Sequence, residues 1–417
     1  MANEIQIDAF PPAKMASRME GVGVKKAGLN IWTMFALAML AGAFIGTGAI
    51  LCTVVTTGLG AAGVGYGVIK LLGGLAFCLG LIAVVVAGAE LFTGNNLIIM
   101  AFASGKVNLS GLLRNWVTVY VGNFVGSILT AFVMLLTKQY MSSGGALGAN
   151  ALKIANAKCS LGFIQAIALG IMCNALVCLA VWLCFSARST TDKIMAIIFP
   201  ITAFVAAGFE HSVANMYFIP MGLFVKGFAV PSFWEAIGKT AADYGNLTWG
   251  AFFLANLLPV TIGNIIGGAG FVGLAYWFIY LRPQKVVAVK PGVELKLLVV
   301  DDDPDFVDLT SVILTKEGYK VSSAANGHEA LQAMRAERPD LVLLDVMMTT
   351  PLEGVSVARK MVGDPDLKSV PIIMISSIDS SQHADLLPDD LHIPTDAWIS
   401  KPLDPDDLLR TIRRFLV

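Results

Sequence analysis

Two groups of side chains in this sequence could do chemistry, and their surroundings differ. Glu90, Glu210 and His211 are the ionisable residues inside long apolar runs, and His211 is the only histidine before residue 328. Charge at such depth is costly, so ionisable groups there are candidates for function. A lone histidine often serves only as a satisfied core residue. Beside a buried glutamate and a polar interruption, a pathway role fits His211 better. The two glutamates are expected to hold the chain at the interruptions by accepting backbone hydrogen bonds rather than to touch a substrate. The second group closes three apolar runs near the C-terminus: Asp301 and Asp302 after LLVV, Asp345 ending LVLLD, and Lys401 in ISKP. Three carboxylates meeting one ammonium would hold Mg²⁺, a hard ion that prefers oxygen ligands, and would neutralise a phosphoryl group.

The elements that carry the first group read as membrane spans. The chain is 56% hydrophobic and 14% charged, with mean hydropathy +0.72, too apolar for an ordinary soluble fold. Stretches of roughly 20 apolar residues or more fall near 30–55, 67–89 running into 95–104, 111–137, 160–185, 192–226 and 249–281, predicting six crossings. Lys14, Arg18, Lys25 and Lys26 precede the first, Lys106 and Arg114 follow the second, Arg188 and Lys193 the fourth, and Arg282 and Lys285 the sixth. That alternation puts both ends of the membrane part on the cytoplasmic side. The N-terminus lacks the apolar core of a signal peptide. The six cysteines all lie in apolar segments without metal-ligand spacing and are read as packing residues.

An internal repeat relates the two halves. AGAELFTGNN (Ala87 to Asn96) returns as AGFEHSVANM (Ala207 to Met216), and Asn115, Gly122, Asn123 and Gly126 return as Asn256, Gly263, Asn264 and Gly267. Each half crosses an odd number of times, so the second is inverted relative to the first. Both copies of Ala-Gly-x-Glu interrupt an apolar run, predicting two broken helices that meet near mid-membrane. The glycine pairs, Gly42/Gly46 included, are expected to permit close helix contact.

The second group sits in a different kind of chain. Residues 1–291 carry 17 Lys/Arg against 8 Asp/Glu, and residues 292–417 carry 12 against 22. No basic cluster suggests nucleic acid. Residues 295–417 alternate apolar strands (LKLLVV, LVLLD, PIIMIS, AWIS) with helical stretches, a doubly wound α/β pattern whose strand ends carry the chemistry. The chain therefore divides into an N-terminal cytoplasmic segment (1–29), a membrane domain (30–281), a linker (282–293) and an α/β domain (294–417). No triad, phosphate loop or metal cluster outside that last domain points to an enzyme.

With these residues in view, VVAGAELFTGNN and GIMCNALVCLAVW (Gly170 to Trp182) resemble the two signature stretches of formate/nitrite transporters, and GFEHSVANM resembles that family's histidine segment. The resemblance spans about residues 10–282. It implies an aquaporin-like all-α protomer of six helices with inverted repeat, and a homopentamer in the cell inner (plasma) membrane with one pore per subunit. Its substrates would be small monovalent anions: formate foremost, nitrite or hydrosulfide besides. It further implies His211 as the central pore histidine, Thr93 as its partner, Asn174 as a polar neighbour and Lys158 as the vestibule lysine. Leu81, Leu91 and Phe92 match positions near the constrictions, and Phe77 and Phe204 match aromatic gates on the two sides. Lys158 would draw an anion in, and apolar rings would penalise its bare charge. His211, with a reference pKa of about 6.5, would lend it a proton or hydrogen bond and so link flux to pH. No cofactor is expected in the pore.

The C-terminal constellation resembles response-regulator receivers, a flavodoxin-like fold. The resemblance makes Asp345 the phospho-acceptor, Asp301 and Asp302 the acidic pair, the Met347 carbonyl a further Mg²⁺ ligand, Ser376 the switch hydroxyl, Trp398 the switch aromatic and Lys401–Pro402 the Lys-Pro pair. Two departures stand out. VMMTTPLEG after Asp345 is one residue longer than the usual loop, with its proline displaced, and SIDSSQHADLLPDDLHIPTDA reads poorly as the fourth helix. A sensor histidine kinase would phosphorylate Asp345, and with no further domain following in the sequence the pore is the expected effector. The alternative is a signalling protein that uses its membrane half as an anion-flux sensor.

Overall fold

The structure, a computed structural model, describes residues 9–282, 294–350, 352–376, 395–401, 403 and 405–416. The chain forms two compact units that divide at residues 282 and 283.

The first unit is helical. Its first half contains α1 (Pro12–Ala27), α2 (Ile31–Thr56), α3 (Tyr66–Ala87), the partly irregular α4 (Phe92–Ala103) and α5 (Leu109–Leu136). The second half contains α6 (Ala146–Cys159), α7 (Phe163–Cys184), α8 (Thr190–Ala206), α9 (Ser212–Phe228), α10 (Pro231–Ile237) and α11 (Ala251–Tyr280). Polar caps start the spans where the sequence supplies them: Asn30 accepts the Trp32 amide at 2.9 Å, and Asn108 accepts the Gly111 amide at 2.7 Å. Beyond the caps these helices are apolar on every side. Val117 and Leu136 on α5, Ile164 on α7, Phe199 on α8 and Phe271 on α11 are exposed, as lipid-facing side chains must be. Among the described residues, α2, α3, α5, α7 and α11 are each long and apolar enough to cross a bilayer. The bent pair α9 and α10, which meet at 108°, brings the number to six if taken as one span.

Helix α5 packs on α2 closely enough that a Cβ at Gly126 would lie 2.0 Å from the Met39 carbonyl oxygen. A Cβ at Gly267 on α11 would likewise lie 2.1 Å from the Ile171 oxygen on α7. The glycines thus set the same helix spacing in both halves.

The second unit is a five-stranded parallel sheet of order 2-1-3-4-5: β1 (Lys296–Val300), β2 (Lys320–Ala324), β3 (Leu341–Asp345), β4 (Ile372–Ser376) and β5 (Ala397–Ser400). Around it run α12 (Pro304–Lys316), α13 (Gly327–Ala336), α14 (Glu353–Gly363) and α15 (Pro405–Phe415). This strand order is the flavodoxin-like one. Strands β1, β3 and β4 are buried apolar runs, as expected for a sheet covered on both faces. The edge strand β2 reads KVSSA, too polar to stand out among apolar runs. Residues 377–394 of the fourth-helix stretch discussed above, Pro351 and Pro402 lie outside the described residues.

Candidate functional sites

The membrane site is built at the two helix breaks. Helix α3 stops at Gly88 (φ +82°) and α8 at Gly208 (φ +75°), both in the left-handed region that glycine occupies without strain. Three residues outside any helix follow in each case before α4 and α9 begin, the last of them, Leu91 and His211, extended. Irregular backbone inside a membrane needs internal hydrogen-bond partners, and one asparagine per half supplies them. The Asn123 side chain accepts the Phe92 amide at 2.9 Å and donates to the Glu90 carbonyl at 2.9 Å and to that of Ala38 at 2.7 Å. The Asn264 side chain accepts the Ser212 amide at 2.9 Å and donates to the Glu210 carbonyl at 3.0 Å and to that of Gly170 at 2.8 Å.

The glutamate carboxylates therefore act differently from the sequence-based expectation that they would accept backbone hydrogen bonds. Glu90 pairs with Lys26 at 2.8 Å and accepts the Asn95 amide at 2.6 Å. Glu210 pairs with Lys158 at 2.7 Å and accepts side-chain amides from Asn215 at 2.7 Å and Asn256 at 3.2 Å. A carboxylate withdrawn from water gains most from a cation and charge-assisted side-chain donors, and the asparagines have already taken the backbone groups. Lys158, expected as a vestibule lysine, is thus also the counter-ion of Glu210. Replacing it with methionine leaves that carboxylate buried without its cation, so Lys158→Met is expected to cost about 3 kcal/mol. Thermal unfolding of the detergent-solubilised protein would show this, and adding Glu210→Gln should recover more than half of the lost stability.

Between the breaks the repeat loses its symmetry. His211 occupies the position that Leu91 holds in the first half, and Thr93 the position of Val213. His211 precedes α9, and its Nδ1 accepts the Ala214 amide at 3.0 Å. Nδ1 is therefore the unprotonated nitrogen, and the neutral ring carries its hydrogen on Nε2. Nε2 lies 2.9 Å from the Thr93 hydroxyl, with both residues buried. Asn174 is a polar neighbour of this centre, with its NH₂ already engaged: it donates to the Thr93 carbonyl at 3.3 Å, to Asn96 Oδ1 at 2.8 Å and to the Asn264 carbonyl at 2.7 Å.

Two cavities approach this centre from opposite sides. One, of about 380 Å³, is lined by Lys26, Leu81, Glu90 and Leu91, with Met19 of α1 at its wall. The other, of about 500 Å³, is lined by Phe77, Lys158, Phe204, Glu210 and His211. Phe77 and Leu81 are four residues apart on α3, so about 6 Å of helix separates the two linings. One expectation needs correction here. Phe77 and Phe204 do not gate opposite sides, because their rings meet edge to face at 5.7 Å in the same cavity. The inverted repeat runs α3 and α8 past one another in opposite directions, which brings the middle of one beside the end of the other. Phe92 lines neither cavity and packs instead against Trp116 and Tyr120 of α5, with centroids 6.2 and 4.9 Å away.

The second site lies at the C-terminal ends of β1 and β3, which pair in register at Val300 and Leu344. The carboxylates of Asp301, Asp302 and Asp345 converge so that one oxygen from each lies within 4.8 Å of the others. Lys401 Nζ reaches Asp301 at 2.7 Å and Asp345 at 2.8 Å, and its own amide donates to the Ser376 carbonyl at 2.8 Å. Burial pushes the Asp301 carboxyl up, against the pull of Lys401. Burial works to lower the Lys401 ammonium, but its bonds to the two carboxylates prevail and raise it. Ser376 is buried at the end of β4, and Trp398 is half-buried on β5, beside Met374 in register. Met347 follows Asp345 by two residues and donates its amide to Asp345 Oδ1 at 3.2 Å. An all-oxygen donor set of this kind fits Mg²⁺ in ligand chemistry.

Residues 13–278, most of the first unit, match the formate/nitrite transporter family model. The chain belongs to the formate/nitrite transporter family. Residues 297–413 match the response regulator receiver domain, so this family member carries a receiver as its second unit. Among family relatives, the formate channel FocA of Escherichia coli K12 is 47% identical over 275 residues, 66% of this chain and 96% of the relative. A probable formate transporter of Methanothermobacter thermautotrophicus is 39% identical over 285 residues, 65% and 97%. A solved structure described as a pentameric formate channel with formate bound is 53% identical, with TM-score 0.58, over 60% of this chain and 98% of that one.

Sequence reasoning placed Lys26 among charges flanking a span and missed its pairing with Glu90. A signal was present. Lys26 and Lys158 each stand five residues before the first span of their half, Ile31 and Phe163. Asn95 and Asn215 likewise each follow the shared glutamate by five residues.

Proposed function

We propose that the first unit is a formate channel, with nitrite and hydrosulfide as further candidate anions, assembled as a homopentamer with one pore per protomer. It would lie in the plasma membrane with the α1 side and the receiver in the cytoplasm. The observation that carries the reading is the donor pair at the centre. The Ala214 amide holds the His211 ring so that its Nε2–H meets the Thr93 hydroxyl at 2.9 Å, between two cavities walled by apolar side chains. An anion leaving either cavity loses water at Leu81, Leu91, Phe77 and Phe204, and Nε2–H and the Thr93 O–H replace part of that hydration. The similarity to FocA favours formate. Linkage to pH runs through Nδ1: taking up a proton there displaces the Ala214 amide and uncaps α9, so His211 conducts in its neutral form.

The receiver is proposed to regulate this pore through Asp345. Asp301, Asp302, Asp345 and the Met347 carbonyl would hold Mg²⁺, which when bound screens the phosphoryl charge. Lys401 holds the Asp345 carboxylate in place and faces the incoming phosphoryl oxygens. Ser376 and Trp398 are the residues proposed to report the modified state, and a sensor histidine kinase is the proposed donor. The full chain in liposomes, treated with a small-molecule phosphodonor and Mg²⁺, tests this. Incorporation of one phosphoryl group that Asp345→Ala abolishes is expected, with formate flux changed at least about twofold. Phosphorylation with unchanged flux would sink the regulatory reading while leaving the channel reading intact.

A further inference from the structure

The loop that leaves Asp345 is closed by ties that converge on one side chain, Glu353. Asp345 ends β3 and Glu353 opens α14, so residues 346–352, Met347 among them, run between the two. The ends of this stretch fold against each other. The Met347 amide donates to Asp345 Oδ1 at 3.2 Å, and the Gly354 amide donates to the Val346 carbonyl at 3.2 Å. A Cβ at Gly354 would overlap the Asp345 carbonyl oxygen, so α14 starts directly against the residue to be phosphorylated. Leu352, just before α14, offers no side-chain cap and holds a left-handed backbone (φ +62°), which is unfavourable for a residue with a Cβ.

Glu353 holds that conformation from both sides. Its amide donates to the Thr350 carbonyl at 3.2 Å, and its Oε2 accepts the Thr350 amide at 3.2 Å. Its Oε1 reaches out of the loop and accepts the Gly327 amide, the first of α13, at 2.8 Å. A carboxylate suits the amide-rich start of a ten-residue helix. Asn326 caps the same helix by accepting the Glu329 amide at 3.0 Å, which leaves the Gly327 amide to Glu353. Gly327 is also shaped for this contact, because a Cβ there would lie 3.0 Å from Glu353 Oε1 and 2.6 Å from Val357 Cγ2. Helices α13 and α14 share one apolar core through Ala330, Met334, Val357 and Met361, so the loop is tied to a packed element.

We propose that Glu353 is a positioning residue for the phosphorylation site. By pinning residues 346–352 to α13, it keeps the Met347 backbone folded against Asp345 and so sets the affinity of the site for Mg²⁺. This rests on the receiver reading above, in which Asp301, Asp302, Asp345 and the Met347 carbonyl would hold the ion. Glu353 itself is no ligand: both of its carboxylate oxygens are taken by backbone amides.

Calorimetric titration of the full chain in detergent with Mg²⁺ alone tests it, together with the rate of phosphoryl uptake from a small-molecule donor across a Mg²⁺ series. Glu353→Ala should weaken Mg²⁺ binding about tenfold, the lower end of what groups behind metal ligands contribute. The Mg²⁺ concentration giving half the maximal phosphorylation rate should rise by the same factor, and the rate at saturating Mg²⁺ should stay within about twofold of the parent. Glu353→Gln keeps one carbonyl acceptor of the same reach and should lose less. Ile412→Val trims a fully buried side chain of α15 in the core on the other side of the sheet. It should lower the unfolding temperature of the receiver and leave Mg²⁺ affinity at the parental value. Parental Mg²⁺ affinity in Glu353→Ala, or equal weakening in Ile412→Val, overturns the proposal. A parent that neither binds Mg²⁺ nor takes up a phosphoryl group would overturn the receiver reading on which it rests.

Discussion

A His211→Asn protein is expected to fold, insert and lose at least about tenfold of its formate flux, with the remainder insensitive to pH between about 5 and 8. Asparagine is a good N-cap and can still accept the Ala214 amide, so α9 keeps its start. What disappears is the Nε2–H that reaches Thr93 at 2.9 Å, because the shorter side chain cannot span that distance. A hydrogen bond to a charged group contributes about 1.5–3 kcal/mol, which sets the loss at about 10- to 100-fold. His211→Leu copies the residue of the other half and removes donor and cap together, so it should add about 1 kcal/mol of destabilisation to a similar loss of flux. Formate uptake into liposomes across a pH series measures the first effect and thermal unfolding the second. Parental uptake by the asparagine protein at every pH would remove His211 from the mechanism.

The largest structural effect is expected from Asn264→Leu, although leucine is close to asparagine in size and belongs in a membrane. The Asn264 side chain satisfies the Ser212 amide and the Glu210 and Gly170 carbonyls, and it is fully buried. Leucine leaves those three groups in a place that water does not reach. At about 1–3 kcal/mol each, the cost is on the order of 5 kcal/mol, comparable with the whole stability of many proteins. No monodisperse protein should be recovered on size exclusion in detergent. Asn123→Leu should fail in the same way, for the same three bonds in the other half. An Asn264→Leu protein with parental melting temperature and flux would show that the break is held by something else.

Local and periodic features of this fold were legible in the sequence, and long-range pairings were not. Apolar length revealed the spans, and two recurring motifs, Ala-Gly-x-Glu and the paired asparagines, revealed the inverted halves and their breaks. Strand-end placement brought Asp301, Asp302, Asp345 and Lys401 together on paper because a parallel sheet aligns the ends of neighbouring strands. Lys26 and Glu90, by contrast, are 64 residues apart, and nothing local distinguishes a lysine that flanks a span from one that reaches back into it. The misplaced pair Phe77 and Phe204 has the same origin. Position along a helix says which turn a ring occupies, but which cavity it enters depends on how two antiparallel helices cross.

The Lys–Glu–Asn clusters at Glu90 and Glu210 are duplicates, but they give the channel no spare part. Each secures a different break, and one anion must pass both, so the copies work in series as links of a chain do. A fault in one is not rescued by the soundness of the other. Damaging substitutions should therefore be equally severe in the two halves, and a second lesion in the mirror position should add little to the first.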